Sequence, residues 1–477
     1  MIENKNIKIF TCSPDEKIKS ILKKININLT GTIFVTSKKK ILGCVTDGDI
    51  RRALIKGYNL RHKIKSIMNK NYIYIKNTYT KKNINRILKK YKYKCRIFPI
   101  LNSEKNILSF IKNEKIPIYK SNLSGKESQY LQDCVNNNWI SSGGNFIPKF
   151  ENKFSELHLK RPSLTVTSAT TGIHLSLVAL GVKRGDEVIV PNLTFAAVIN
   201  AVLYIGAKPI LVDIDKNKWT IDCEELAKKI SKKTKAVIAV HLFGNPCNMN
   251  DLIKITKKNN LLLIEDCAEA IGSQYKKKPL GIFGDCGVFS FFGNKTITTG
   301  EGGMIIFKNK KIYKIAKQMR DHGMSLTKKY YHDVIGYNYR MTNMQAAIGL
   351  AQLERFKKII KQKILIQEFY KKILQKKKEI IFQQNEKYSI NSFWAVGILI
   401  DKKQFNYKIF SKKMNKKGIE TRNFFYPLNK QRIYEKYAVK KKYSTDIICK
   451  NGVMLPTYPS LKKKDIKYIC NELIKNI

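Results

Sequence analysis

The sequence predicts an α/β protein: a mostly parallel central sheet with helices on both faces, followed by a small carboxy-terminal α+β subdomain and preceded by a separate α+β region. Three observations carry that prediction. Between Thr170 and Phe292, short apolar runs alternate with helix-like segments, the pattern of strands buried on both faces. The chain has 477 residues, 43% of them hydrophobic, which is too long for one ordinary domain and apolar enough for more than one core. At 116–125 the text changes to IPIYKSNLSG, a Pro, Ser and Gly passage suited to a linker. The expected domains are 1–115, 116–365 and 366–477.

In the first region, strand-like runs at 32–36 and 42–46 lie near amphipathic Lys-rich stretches at 15–24 and 50–56. The order recurs at 72–76, 83–90 and 95–101, which reads as a second, poorer copy of one unit. The main region then predicts a helix at 170–180, a strand at 187–191, a helix at 196–204 and a strand at 209–212. A strand at 236–240, a helix at 250–257 and strands at 261–264 and 288–292 follow. After Gln345 an Ala-rich helix, QAAIGLAQLERF, leads into a Lys-rich stretch and a smaller mixed region ending at Ile477.

Lys plus Arg number 91 against 36 Asp plus Glu, a formal charge of +55 that raises the question of nucleic-acid binding. The lysines scatter through every segment instead of forming a stripe or tail, so the charge reads as background surface and no nucleic-acid partner is expected. Ten cysteines without a C-x-x-C pair or a metal-ligand spacing suit free thiols in a reducing compartment, and no metal site is expected. The start, MIENKNIKIF, lacks the apolar core of a signal peptide, and no run approaches the roughly 18 apolar residues of a membrane span. The expectation is a cytoplasmic protein without membrane insertion.

The chemistry-bearing residues fall in three places. In LLLIEDCAEA a strand ends in Glu265 and Asp266, and ligands of α/β sheets sit at the carboxyl ends of strands. Further on, FSFFGNKTITTGEGG places Ser290 at the end of a strand-like run and Lys295 in the loop before a glycine-rich turn, where an amine shielded from water can act as nucleophile and base. Upstream, SATTGIHLSL opens a helix at Ser168, whose free amides and hydroxyls make a phosphate seat. Singly, these are a strand-end cap, a surface lysine and a helix cap. Together they are what pyridoxal 5′-phosphate requires.

These residues resemble the DegT-type sugar-nucleotide aminotransferases of fold type I across 116–477. The resemblance runs through WISSGG at 139–144, DEVIVPNLTFAA at 186–197, EDCAEAIGS at 265–273, GNKTITTGEGG at 293–303, GYNYRMTNMQAAIGLAQLER at 336–355 and GIETRNFFYP at 418–427. It implies that Lys295 is the Schiff-base lysine and proton carrier, and Asp266 the partner of the pyridine nitrogen. Phe195 becomes the ring stacked on the cofactor, Glu269 the contact near its phenolic oxygen, and Ser290 with the Ala169 and Thr170 amides the phosphate ligands. Asn338 matches a residue supplied by the neighbouring subunit, which implies a homodimer with shared active sites. The phosphate turn reads Ala-Thr where many members have Gly-Thr, so amide donation requires a negative φ at Ala169.

Within the family, EDCAEAIGS with GNKTITTGEGG is most similar to the branch that forms GDP-perosamine for surface polysaccharide such as lipopolysaccharide O-antigen. The implied substrates are L-glutamate and a GDP-linked 4-keto-6-deoxymannose; a UDP-linked 4-keto-hexosamine is the alternative. A His at 295 would signal a dehydratase, whereas the Lys present favours transamination. Arg422 matches a substrate-side segment, where a guanidinium suits a carboxylate or diphosphate better than Lys does. His322 falls in a loop that the family places near the site.

The first region resembles a pair of CBS modules through GCVTDGDIRRAL at 43–54. The resemblance implies that Thr46 and Asp49 contact the phosphate and ribose of a nucleotide, while the second copy lacks that Thr-x-x-Asp. A packing module that binds nothing is the other reading. A nucleotide-sensing protein with an inactive aminotransferase scaffold is the non-enzyme alternative. His174, among apolar helix positions, and His241, after a buried strand, are expected to be structural.

Overall fold

The computed structural model describes residues 2–4, 7–28, 30–91, 95–112, 115–438 and 443–477. The chain forms two compact units, Met1–Lys115 and Ile116–Ile477.

The first unit is a duplication. Strand Thr11–Cys12, helix Ile18–Asn28 and the hairpin Thr32–Ser37/Lys40–Thr46 make one copy, with the first strand parallel to the second. Strand Ile75–Lys76, helix Lys81–Lys90 and the hairpin Ile97–Leu101/Ile107–Lys112 repeat that order and pairing. The strand expected at 72–76 is therefore only its last two residues. Ile21, Ile25, Ile33, Val35 and Val45 form the core of the first copy, and the helix stripe and strand faces that bury them follow the 3.6- and 2-residue periods.

The second unit is organised by a seven-stranded sheet. Its strands run Lys208–Val212, Glu187–Pro191, Thr234–Val240, Leu262–Asp266, Cys286–Ser290, Gly303–Phe307 and Ser163–Val166 from edge to edge. All neighbours are parallel except at Gly303–Phe307, which is antiparallel to both of its partners. Alternate residues of each strand enter opposite cores. Ile189, Val237, Leu263, Phe289 and Met304 face a layer that includes helix Phe146–Leu157, whereas Val188, Ile238, Ile264, Val288 and Ile305 face one that includes Ala169–Ala179 and Ala197–Tyr204. With both faces buried, a one-residue slip of any strand would exchange the two sets, so packing fixes the register.

The carboxy-terminal part is a four-stranded antiparallel sheet, ordered Ile380–Phe382, Val396–Ile400, Gly452–Leu455 and Arg422–Asn423. Helix Phe356–Leu374 joins the two parts: Ile359 lies in the core of the large sheet, and Ile366, Tyr370 and Leu374 lie in that of the small one. The passage expected to be a linker is instead stitched into the small sheet. Ile116 N–H donates to Gly418 O at 2.7 Å, Thr457 N–H donates to Ile118 O, and Ile118 is buried. Its alternating Ile116 and Ile118 explain the difference: the Pro, Ser and Gly around them gave a loop signal, but two apolar residues in extended chain can add to a sheet margin.

Candidate active site

The carboxyl ends of the parallel strands converge on one edge of the sheet, where a fold of this type collects its chemistry. Strand Leu262–Asp266 ends there with a buried carboxylate whose Oδ1 accepts the Ala268 N–H at 2.9 Å. Burial pushes the Asp266 carboxyl above its ordinary value, while the Ala268 hydrogen bond and the charge of Lys295 pull it back. A cationic ring nitrogen placed against it would relieve that desolvation.

Ser290 ends the next strand, and Gly303 pairs with it across the antiparallel ladder. Helix Ala169–Ala179 begins beside them. Ser168 Oγ accepts the Thr171 N–H at 3.2 Å, and Thr171 Oγ1 accepts the Ser168 N–H in return at 3.1 Å, a reciprocal cap. The amides of Ala169 and Thr170 have no acceptor among the described residues and are free for an anion. Ala169 has helical, negative φ, so Ala in place of Gly leaves that donation intact. Gly303 is required behind this turn: a Cβ there would lie 2.7 Å from Ser168 C and 2.8 Å from Ala169 N.

Lys295 follows in a loop held by its own N–H to Phe292 O and by Gly300, whose φ of +86° suits only glycine comfortably. Its amine lies 3.6 Å from Glu269 Oε1 and 4.2 Å from the centroid of the Trp394 ring. Glu269 Oε2 accepts the Phe243 N–H at 2.9 Å. Burial raises the Glu269 carboxyl to about 6, against the opposing pull of Lys295. Phe195, at the edge between strand Glu187–Pro191 and helix Ala197–Tyr204, is 61% exposed and leaves a ring face available for stacking, with Phe425 tilted at 5.8 Å. A free helix-start amide pair, an amine, a buried carboxylate and an open aromatic ring on one edge fit pyridoxal phosphate.

Sequence reasoning missed Trp394 and Tyr119. The Arg422 guanidinium lies 5.6 Å from the Tyr119 ring, Tyr119 stacks on Trp394 at 5.2 Å, and Trp394 faces Lys295, so one column joins Arg422 to Lys295. Arg422 also lies 3.6 Å from Glu420. The rarity of Trp, three in the chain, was the one available signal.

The other residues singled out divide differently. His322 is exposed and lies 3.2 Å from Asp321, which also pairs with Arg340. Asn338 is exposed and bridges to Asp321, and the carbonyl of its neighbour Tyr339 accepts the Thr167 N–H just before the helix start at Ser168. His174 is buried, with Nδ1 3.2 Å from Tyr339 OH. His241 Nδ1 accepts the Cys247 N–H, and its Nε2 meets Glu265 at 3.2 Å. His241, Glu265 and Cys267 cluster, but Glu265 is already saturated by His241 and by the N–H groups of Gly281, Phe283 and Gly284. In the first unit, Thr46 and Asp49 engage each other as the cap of helix Asp47–Ile55, with Arg52 on the Asp49 carboxylate at 2.6 Å.

The sequence profile of the DegT/DnrJ/EryC1/StrS aminotransferases matches residues 122–474. The chain belongs to that family. A CBS-domain profile matches 5–56. Among relatives, GDP-perosamine synthase of Escherichia coli O157:H7 is 44% identical over 75% of this chain and 97% of its own length. GDP-perosamine synthase of Vibrio cholerae is 40% identical over 76% and 98%. The structure of E. coli GDP-4-keto-6-deoxy-D-mannose-3-dehydratase with bound hydrated PLP is 26% identical, covers 75% of this chain and 98% of that one, and superposes with a TM-score of 0.71. Membership makes this aminotransferase a pyridoxal-phosphate enzyme.

Proposed function

We propose that the protein transfers the amino group of L-glutamate to the C4 ketone of GDP-4-keto-6-deoxymannose, forming GDP-perosamine for a surface polysaccharide such as O-antigen. The observation that carries this is near-full-length similarity to two GDP-perosamine synthases together with Lys, not His, at 295.

When bound, the cofactor supplies an electron sink through its ring nitrogen. In this reading Lys295 Nζ holds the cofactor, then removes and returns the Cα proton of the donor. Asp266 keeps a positive charge at the ring nitrogen, and Glu269 faces the phenolic oxygen. The Ala169 and Thr170 amides with Ser290 hold the phosphate, Phe195 covers one ring face, and Arg422 and His322 serve the substrate. Assaying glutamate with GDP-, UDP- and dTDP-linked 4-keto sugars tests the proposal; preference for a UDP-linked hexosamine would overturn the assigned acceptor.

A cytoplasmic homodimer with shared sites belongs to the same reading. Among the described residues no disulfide joins the ten cysteines, and no helix is long and apolar enough to cross a membrane. Leu326, Tyr330, Val334 and Ile335 expose an apolar loop close in sequence to Asn338, a surface that a second subunit would cover. The expected domain division, a CBS pair at 1–115, a large cofactor domain at 116–365 and a small one at 366–477, completes the proposal. Thr46 and Asp49 are its nucleotide contacts. Nucleotides should then change the rate of the full chain but not of one lacking 1–115.

A further inference from the structure

Lys363 lies in the middle of helix Phe356–Leu374 and is 2% exposed. Its amine donates to Trp394 O at 2.9 Å and to Thr457 O at 3.2 Å, and no carboxylate among the described residues pairs with it. Burial pulls this lysine down to about 7. An amine enclosed without a counter-charge is costly. Its retention points to what the amine holds.

What it holds is Trp394. The indole Nε1–H donates to Asn294 O at 3.0 Å, and Asn294 is joined directly to Lys295. The same indole is the ring faced by the Lys295 amine at 4.2 Å. Asn294, Lys295, Thr296, Lys363 and Thr457 also border one small cavity of about 20 Å³. The other titratable groups lining it are Tyr119, Lys120 and Tyr458, and none of its lining residues is an acid. Lys363 therefore reaches the lysine loop through neutral carbonyls and one indole.

We propose that Lys363 is a positioning residue for Lys295: it fixes the Trp394 backbone, and Trp394 holds the Asn294–Lys295 peptide while presenting its ring to the amine. The inference rests on the reading of Lys295 as the cofactor lysine. It differs from that reading in acting through Trp394 and not on the reacting atoms.

The test uses the full-length, cofactor-loaded protein, with three readouts: thermal stability, the pH midpoint of the bound cofactor's visible absorption, and the rate of amino transfer from glutamate. Lys363→Met, which takes this donor from the Trp394 and Thr457 carbonyls, should lower stability modestly, move the absorption midpoint, and lower kcat roughly tenfold with KM for glutamate little changed. Lys363→Gln, which retains N–H donors, should restore most of both. Trp394→Phe, which removes only the indole donor and part of the ring, should move the midpoint in the same direction, and the double variant with Lys363→Met should be no worse than the stronger single one. A wild-type midpoint and rate in Lys363→Met would overturn the proposal, as would additive effects in the double variant. If Lys363→Met does not fold, a wild-type midpoint in Trp394→Phe overturns it. Failure of the wild type to accept glutamate's amino group would instead sink the functional reading, and the absorption midpoint would still decide the role of Lys363.

Discussion

The Glu269 carboxylate lies 3.6 Å from the Lys295 amine, outside hydrogen-bond reach, while its second oxygen is fixed by the Phe243 N–H. The pair is thus near enough for attraction but too far apart for proton sharing, and burial dominates the acid. A cofactor oxygen placed close to both groups would face a carboxyl that changes protonation close to neutral pH.

For the cofactor-free protein this has a signed consequence. The Glu269 carboxyl rises from 4.5 to about 6 on folding, so the folded state holds its proton more tightly. Stability is therefore lost as pH rises from 4.5 through 6, by about 2 kcal/mol on the linkage relation. Melting curves of wild type and Glu269→Gln should diverge in favour of Gln across that window. A constant difference between them would show that the acid is not desolvated.

Lys295→Ala should abolish the cofactor's covalent attachment and amino transfer while leaving the fold intact. The side chain is mostly buried, and its contacts among the described residues are the Glu269 ion pair and the Trp394 ring. Absorbance after reconstitution and circular dichroism read the two halves separately; a variant that still turns over at near wild-type rate would refute the assignment.

Asp266→Asn should retain the cofactor but slow turnover about a thousandfold or more, because a neutral amide no longer favours charge on the ring nitrogen. Single-turnover rates with glutamate measure this. A loss smaller than roughly tenfold would mean that another acid faces the ring.

Much of this was legible in the sequence for a physical reason. Strands such as Glu187–Pro191 and Thr234–Val240 are buried on both faces, so they read as continuous apolar runs, and residues at their carboxyl ends are the ones a ligand meets. The edge strand Ser163–Val166 and the antiparallel Gly303–Phe307 were harder to see: one follows a polar turn, and the other begins inside a glycine run that reads as loop. Trp394, Tyr119 and Lys363 were invisible because their roles depend on contacts between segments distant in the chain, Lys363 reaching Trp394 31 residues on and Trp394 reaching Asn294 100 residues back, which no local pattern encodes. Composition even pointed the wrong way for Lys363, one lysine among many taken as surface.

Gly303→Ala should weaken cofactor binding without unfolding the sheet. The added methyl meets backbone atoms of Ser168 and Ala169, not a flexible side chain, so the phosphate turn must move. Reconstitution of the cofactor-free variant should require at least about tenfold more pyridoxal phosphate than wild type, a loss of roughly one good hydrogen bond. Equal affinity would show that the turn does not carry the phosphate.

A chain beginning at Ile116 should fold and transfer amino groups without the first unit, since the strands, helix start and lysine loop of the site all lie beyond that point. A chain beginning at Asn122 should not be equivalent. It lacks Ile116, whose backbone pairs with Gly418 and Glu420, and the buried Ile118. It also lacks Tyr119, whose ring stacks on Trp394. Removing a buried Ile and an aromatic costs about 2–5 kcal/mol each, and the Tyr119 loss exposes the indole that faces Lys295. Thermal melts and glutamate-dependent rates of the two truncated chains separate the cases: the longer should match the full chain, and the shorter should melt earlier and react more slowly. Equal behaviour of the two would return 116–121 to the role of a passive linker.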